Sequence, residues 1–266
     1  MDFLFILGSV GLGLIAGSFL NALSFRFHTG VSIVRGRSRC MRCGHGLSVF
    51  ELVPVLSYLA LRGRCRYCGV GISIQYPLVE ILAGVLSLGV YITTPAPLAY
   101  AFWFFVWMLI LFIVVYDIRH TVIPWSCSLL LMALSLAYMF VFPGALDNLF
   151  AGPMLAAPLL FVSLVSQGTW MGWGDGVFEL SLGWLVGLTL GLSALMIAIW
   201  SGAVIGLLLI GLARIMEGFT PTPTSQKLVW GFTMRSELPF APFLGLGAAV
   251  CYFFHVDLFT QIAILW

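Results

Sequence analysis

The chain has 266 residues, 61% of them hydrophobic and 8% charged, with a formal net charge of +2 and a mean hydropathy of +1.10. Soluble domains carry about 25% charged residues, so the composition excludes an ordinary soluble enzyme and implies an all-α polytopic membrane protein. The basic residues cluster in a way that membrane topology explains, which leaves no basic patch for nucleic acid.

A membrane-spanning helix needs about 20 mostly apolar residues. In chain order, eight such spans are expected, at 3–25, 77–94, 97–116, 123–142, 149–167, 176–192, 193–213 and 239–262. The first is too long and glycine-rich for a cleaved signal peptide, so it is expected to be retained. Its Gly11, Gly13 and Gly17 fit close helix packing by small residues. Asn21, one turn after Gly17, is placed to bond a neighbouring helix. The tryptophans fall mostly near span ends, where aromatic belts form.

Between spans one and two lies a long polar loop holding Arg26, Arg35, Arg37, Arg39, Arg42, Arg62, Arg64 and Arg66. Arg119 follows span three, and Arg214, Lys227 and Arg235 lie around the loop between spans seven and eight. Eight spans put all 12 Lys and Arg on one side, which the positive-inside rule makes cytoplasmic. Asp2, Asp147 and Asp257 fall on the opposite side, as do both chain ends. The segment from Thr220 to Thr224 is expected to be a cytoplasmic loop.

The same polar loop carries Cys40-Met41-Arg42-Cys43 and Cys65-Arg66-Tyr67-Cys68, two Cys-x-x-Cys pairs with 21 residues between them. That spacing suits a tetrahedral four-thiolate zinc site, and Gly44 and Gly69, each following a pair, favour knuckle-like turns. Iron also fits four thiolates. Two disulfides or free redox thiols are the alternatives, although a cytoplasmic loop is kept reduced. A metal would fold a segment of about fifty residues too small to hold itself together. His45 could replace a thiolate, but four cysteines already complete a site. Cys127 and Cys251 read as small buried hydrophobes.

Two aspartates then stand at span ends, in Tyr116-Asp117-Ile118-Arg119 and Gly172-Trp173-Gly174-Asp175. A carboxylate placed centrally in a membrane costs roughly 2.5 to 3.5 kcal/mol and marks a functional site by default. Two spans and one outer loop separate the pair, so both return to the cytoplasmic interface, where they can meet. Two such groups share a proton, which lets one activate water and the other protonate a leaving amine. Gly172 and Gly174 would leave an open backbone for a peptide to approach. Against this stands a purely structural role, with Asp175 capping span six and Asp117 capping or orienting span four near Pro124. His120 is near enough in sequence to perturb Asp117.

Taken together, these residues resemble the type IV prepilin peptidases, bifunctional leader peptidases and N-methyltransferases. The resemblance runs through Gly17-Ser18-Phe19-Leu20-Asn21 with Arg26, both cysteine pairs, Pro54-Val55-Leu56-Ser57-Tyr58, Arg62-Gly63-Arg64-Cys65 and Tyr76-Pro77-Leu78-Val79-Glu80. It continues through Asp117 with Ile123-Pro124, Gly172-Trp173-Gly174-Asp175, Gly183, Gly187 and Leu238-Pro239-Phe240-Ala241-Pro242-Phe243. It implies that Asp117 and Asp175 are the catalytic aspartates of a membrane aspartic protease. Its substrates would be prepilins or pseudopilins, cut after a glycine at the cytoplasmic face of a bacterial inner membrane. The new amino terminus would then be methylated from S-adenosylmethionine.

The resemblance also places the amino-terminal region near methyl transfer, with Glu80 on the cofactor side. For Asn21 the alternative to a helix contact is a contact with the methyl donor or the pilin backbone. Glu80 reads equally as an interfacial carboxylate paired with a loop arginine. The expected domains are the first span at 1–25, the zinc-ribbon-like loop at 26–76 and a seven-helix peptidase domain at 77–266.

One departure stands out. Where the family usually has a lysine two residues after the second aspartate, this chain has Val177, with Glu179 shortly beyond. Glu179 is about 40° around a helix from Asp175 and one turn on, so it either shares a face with the dyad or is paired or solvated elsewhere. A proton- or cation-coupled transporter using paired aspartates is the alternative from another class, but its site belongs nearer the bilayer midplane. Proteases of the presenilin and signal-peptide-peptidase type share the Gly-x-Gly-Asp context but lack the tetracysteine loop.

Overall fold

The computed structural model describes residues 3–27, 29, 38–142, 145–219 and 238–259. Asp2, His28, Arg35, Arg37, the segment from Thr220 to Thr224, Lys227, Arg235 and the end of the eighth expected span lie outside the described residues. The described elements are helices: α1 Phe3–Arg26, α2 Leu56–Ala60, α3 Gln75–Thr93, α4 Pro97–His120, α5 Trp125–Val141, α6 Ala151–Val165, α7 Trp173–Val186, α8 Leu188–Phe219 and α9 Ala241–Phe254. Two short 3-10 turns, Val49–Leu52 and Ala145–Asn148, join them.

Five stretches are long and apolar enough to cross a membrane: α1, α3, α4, Ala145–Val165 and Leu188–Leu212 of α8. The shorter α5 and α9 are apolar as well. Large side chains such as Leu4, Phe140, Phe161 and Leu207 are exposed, as lipid-facing residues should be and as soluble surfaces rarely allow. The chain is an all-helical, polytopic membrane protein.

Several boundaries differ from the hydropathy reading by a few residues, two of them for backbone reasons. Helix α4 continues through Asp117 to His120 and stops where Thr121 turns to φ 52°, so Asp117 lies in its last turn rather than beyond it. The apolar run divided on hydropathy at 192/193 instead breaks at Gly187, at φ 85° and ψ 177°. L side chains rarely adopt that conformation, and an apolar stretch gives hydropathy no sign of it.

By its contacts the chain divides into two compact units, Met1–Val115 and Tyr116–Trp266. In the first, α1 packs on α3 through glycine. A Cβ on Gly13 would lie 2.7 Å from Gly84 Cα, and one on Gly17 would lie 2.7 Å from Glu80 Cα. The helix backbones therefore touch, which is how helices associate where lipid offers no hydrophobic drive. Polar bonds lock the register: Ser87 Oγ donates to the Ser9 carbonyl at 2.6 Å, and Asn21 Nδ2 donates to the Tyr76 carbonyl at 3.1 Å.

In the second unit α7 packs against α5, α6 and α9, and α9 also packs on α8. A Cβ on Gly183 would lie 2.8 Å from Gly152 Cα, so α6 and α7 also meet at backbone distance. Trp184 Nε1 donates to the Leu149 carbonyl at 3.0 Å, fixing the far end of α7. The near end of α7 carries Asp175.

Candidate active site and cysteine cluster

Within the second unit, the last turn of α4 presents Asp117 and the first turn of α7 presents Asp175. Both are buried, at 4% and 9% exposure, and they are close enough for their charges to interact. Asp117 Oδ2 accepts the Ala241 N–H at 3.1 Å. Ala241 opens α9 and is followed by Pro242, which has no N–H, so Asp117 satisfies a backbone donor that the helix itself leaves unpaired. The contact also sets a negative group at the positive end of the α9 dipole. Asp117 thus caps α9, not the helix after Pro124 considered from the sequence.

Asp175 is the third residue of α7, behind Gly172 at the N-cap. Its carboxylate lies beside Gly172, with Oδ2 3.4 Å from where a Cβ on that glycine would stand. Ser163 Oγ on α6 donates to the Gly172 carbonyl at 3.2 Å, which ties the turn down. Gly172 has φ −68°, a value open to any residue, so conformational freedom is not its reason here. Gly174 needs its lack of a side chain, because a Cβ there would lie 2.8 Å from Ile123 Cβ. Gly174→Val should therefore displace the Asp175 backbone and destabilise the protein by about 1–3 kcal/mol, read as a lowered thermal midpoint beside wild type.

Glu179 is buried at 2% exposure, so it is not a solvated carboxylate, while Val177 is half-buried. His120 is exposed, its ring 4.3 Å from that of Tyr116.

In the first unit the four loop cysteines converge, with their Sγ atoms all within 4.8 Å of one another. The two pairs form one knuckle twice. Cys40 N–H donates to the His45 carbonyl at 2.9 Å and Cys65 N–H to the Val70 carbonyl at 2.8 Å; the N–H groups of Gly44 and Gly69 return to the Cys40 and Cys65 carbonyls, each at 2.9 Å. Gly44 and Gly69 have φ 70° and 69°, which glycine adopts without a Cβ penalty. Isolated bridges pair Arg39 with Gly46 and Arg64 with Gly71.

The donor set fits zinc. Zn–S bonds of about 2.3 Å in a tetrahedron put sulfurs about 3.8 Å apart, and Cys40 Sγ lies 3.8 Å from Cys68 Sγ. All four are free thiols. The N–H groups of Cys43 and Arg42 draw the Cys40 thiol down to about 6, favouring the thiolate a metal requires. At Cys68 the Val70 N–H acts in the same direction, but desolvation and three neighbouring thiols outweigh it and push the group up to about 11. A divalent cation at the centre removes that conflict. His45 is not one of the cluster; its ring lies 3.5 Å from that of Tyr67.

Beside the cluster is a cavity of about 580 Å³ whose wall includes Cys40, Cys65, Arg26, Arg66, Tyr58 and Glu80. Glu80 is 6% exposed, and its Oε2 accepts the Val55 N–H at 2.7 Å. Asn21 is fully buried, and its Oδ1 has no hydrogen-bond partner among the described residues.

Residues 12–94 match the family model described as the bacterial peptidase A24 N-terminal domain. Over 245 residues the chain is 30% identical to a prepilin leader peptidase/N-methyltransferase of Bacillus subtilis, covering 91% of each. The chain belongs to the prepilin leader peptidase/N-methyltransferase family. A relative of the same description from Burkholderia pseudomallei is 30% identical over 280 residues, covering 92% of this chain and 84% of the relative. Another, from Myxococcus xanthus, is 36% identical over 215 residues, covering 75% of this chain and 61% of that longer protein. No solved structure matches the chain. The cysteine loop lies within the matched residues 12–94. Neither the Ala241 N–H nor the Val55 N–H was singled out from the sequence, because a backbone donor has no residue signature.

Proposed function

We propose that this chain removes the positively charged leader of type IV prepilins or pseudopilins after a glycine, then methylates the new amino terminus from S-adenosylmethionine. Asp117 and Asp175 are the catalytic pair, at the cytoplasmic face of a bacterial inner membrane. The observation that carries this reading is a pair of buried carboxylates, from the last turn of α4 and the first turn of α7, close enough for their charges to interact. The relatives' description as prepilin leader peptidase/N-methyltransferases supports the substrate and both activities.

In cleavage, the pair holds one proton between two oxygens that cannot both stay ionised in a dry site. The ionised aspartate takes a proton from water as the oxygen attacks the scissile carbonyl, and the protonated one gives its proton to the departing amine. The Ala241 N–H orients the Asp117 side chain for this exchange. Gly172 is exposed, which leaves an approach for an extended peptide.

Methyl transfer is assigned to the region of the first unit that holds the cavity, with Glu80 in the cavity wall. Cys40, Cys43, Cys65 and Cys68 would hold zinc in a structural role, closing one wall of that cavity. S-adenosylmethionine supplies an electrophilic methyl group when bound. A mass spectrum of a prepilin incubated with the detergent-purified protein tests the reading. Leader loss after glycine, plus one methyl only when S-adenosylmethionine is added, is expected. An unprocessed precursor would instead favour a transporter.

A further inference from the structure

Val55 has φ 61° and ψ −49°, and the Leu56 N–H closes onto the Pro54 carbonyl at 2.6 Å. This is a γ-turn of the rare, positive-φ kind, and for a β-branched residue it is a marked departure from allowed backbone. Local sequence does not explain it, since no glycine or asparagine occupies the turn. The restraint comes from 25 residues away, where Glu80 Oε2 takes the Val55 N–H at 2.7 Å. Glu80 is itself held fast, because its Cα lies directly beneath Gly17 of α1, and the Ser18 side chain faces its carboxylate.

The strained turn has a clear consequence. Helix α2 starts immediately after it, and Ser57 and Tyr58 from α2 line the cavity together with Glu80. Beyond α2 the chain turns at Gly63, φ 65°, and enters the second cysteine knuckle. The position of Val55 therefore governs where a cavity wall stands. Strain kept in place by a distant side chain is found where a site must be shaped in advance.

We propose that Glu80 is a positioning residue for methyl transfer, holding the Pro54-Val55-Leu56 turn and through it the Tyr58 wall of the cavity. It acts as a hydrogen-bond acceptor and not as a charge placed on the methyl donor. This rests on the reading that the first unit carries methyl transfer. A neutral acceptor should then suffice. In Glu80→Gln the amide oxygen still takes the Val55 N–H, while the amide nitrogen can donate to the Ser18 hydroxyl. Glu80→Ala leaves the Val55 N–H unpaired and lets the turn relax toward ordinary backbone. Val55→Gly, which reaches positive φ without a Cβ penalty, should recover part of what Glu80→Ala loses.

The test measures methyl incorporation into a cleaved pilin by full-length wild type, Glu80→Gln, Glu80→Ala and the double variant Glu80→Ala with Val55→Gly. Leader removal in the same tubes reports folding. Glu80→Ala is expected to lose methyl transfer roughly tenfold to a hundredfold with leader removal unchanged, Glu80→Gln to stay near wild type, and the double variant to exceed Glu80→Ala. A Glu80→Gln loss as deep as that of Glu80→Ala, or no recovery in the double variant, overturns the inference while methylation by wild type stands. Wild type that cleaves without adding a methyl overturns both this inference and the reading beneath it.

Discussion

Asp117→Asn and Asp175→Asn should each lower leader removal by roughly ten-thousand-fold, and combining them should cost little more, because groups that share a proton act as one unit. Asparagine is the informative replacement. Its carbonyl oxygen can still accept the Ala241 N–H that Asp117 now takes, and at Asp175 it keeps an acceptor beside Gly172. Asparagine also caps helices about as well as aspartate. If the two residues only capped α9 and α7, both variants would cleave normally. If they exchange protons with water and the leaving amine, both fail while remaining folded. Mass spectrometry of the pilin amino terminus reads cleavage, and methylation of a pre-cleaved pilin by the same preparations shows that they are intact. Variants that cleave at the wild-type rate would remove the dyad from the mechanism.

The parts legible in the sequence were those that violate a composition rule. Carboxylates in an apolar chain are costly wherever they occur, so Asp117 and Asp175 stood out without any knowledge of their neighbours. The cysteines were legible because thiolate pairs at that spacing have few other uses, and the structure brings all four together. Glycine packing was legible at Gly13 and Gly17, where α1 meets α3.

The rest was hidden for identifiable reasons. The break at Gly187 lies within uninterrupted apolar sequence, so no change in hydropathy announces it. The donor to Asp117 is a main-chain N–H 124 residues away, within a Leu-Pro-Phe-Ala-Pro-Phe segment that could be matched to a family but not given a physical role. The strain at Val55 was also invisible, since Glu80 imposes it from a different helix. Sequence reading identifies residues that are expensive to place; the backbone groups that hold them need coordinates.

Removing the metal should separate the two activities. The loop from 38 to 73 has almost no core of its own: Cys65 is buried at 7% exposure, whereas Val49, Phe50, Leu56 and Leu59 are exposed. Hydrophobic burial therefore cannot hold it, and four thiols within 4.8 Å oppose one another once ionised. In small four-cysteine domains, zinc binding supplies roughly 10 to 16 kcal/mol of apparent folding free energy, far more than any other contact in this loop. Because Cys40 and Cys65 also line the cavity, loss of the metal should open that wall and abolish methyl transfer. Asp117 is oriented by the Ala241 N–H, and the turn before Asp175 is tied by Ser163 to the Gly172 carbonyl; none of these residues is in the loop, so leader removal should persist. Elemental analysis should find one zinc per chain in wild type and none in Cys65→Ser. Limited proteolysis should cut the loop only in the variant or after chelation. If chelation stops cleavage and methylation in equal measure, the metal does more than shape the cavity wall, and the two activities are not separable in this way.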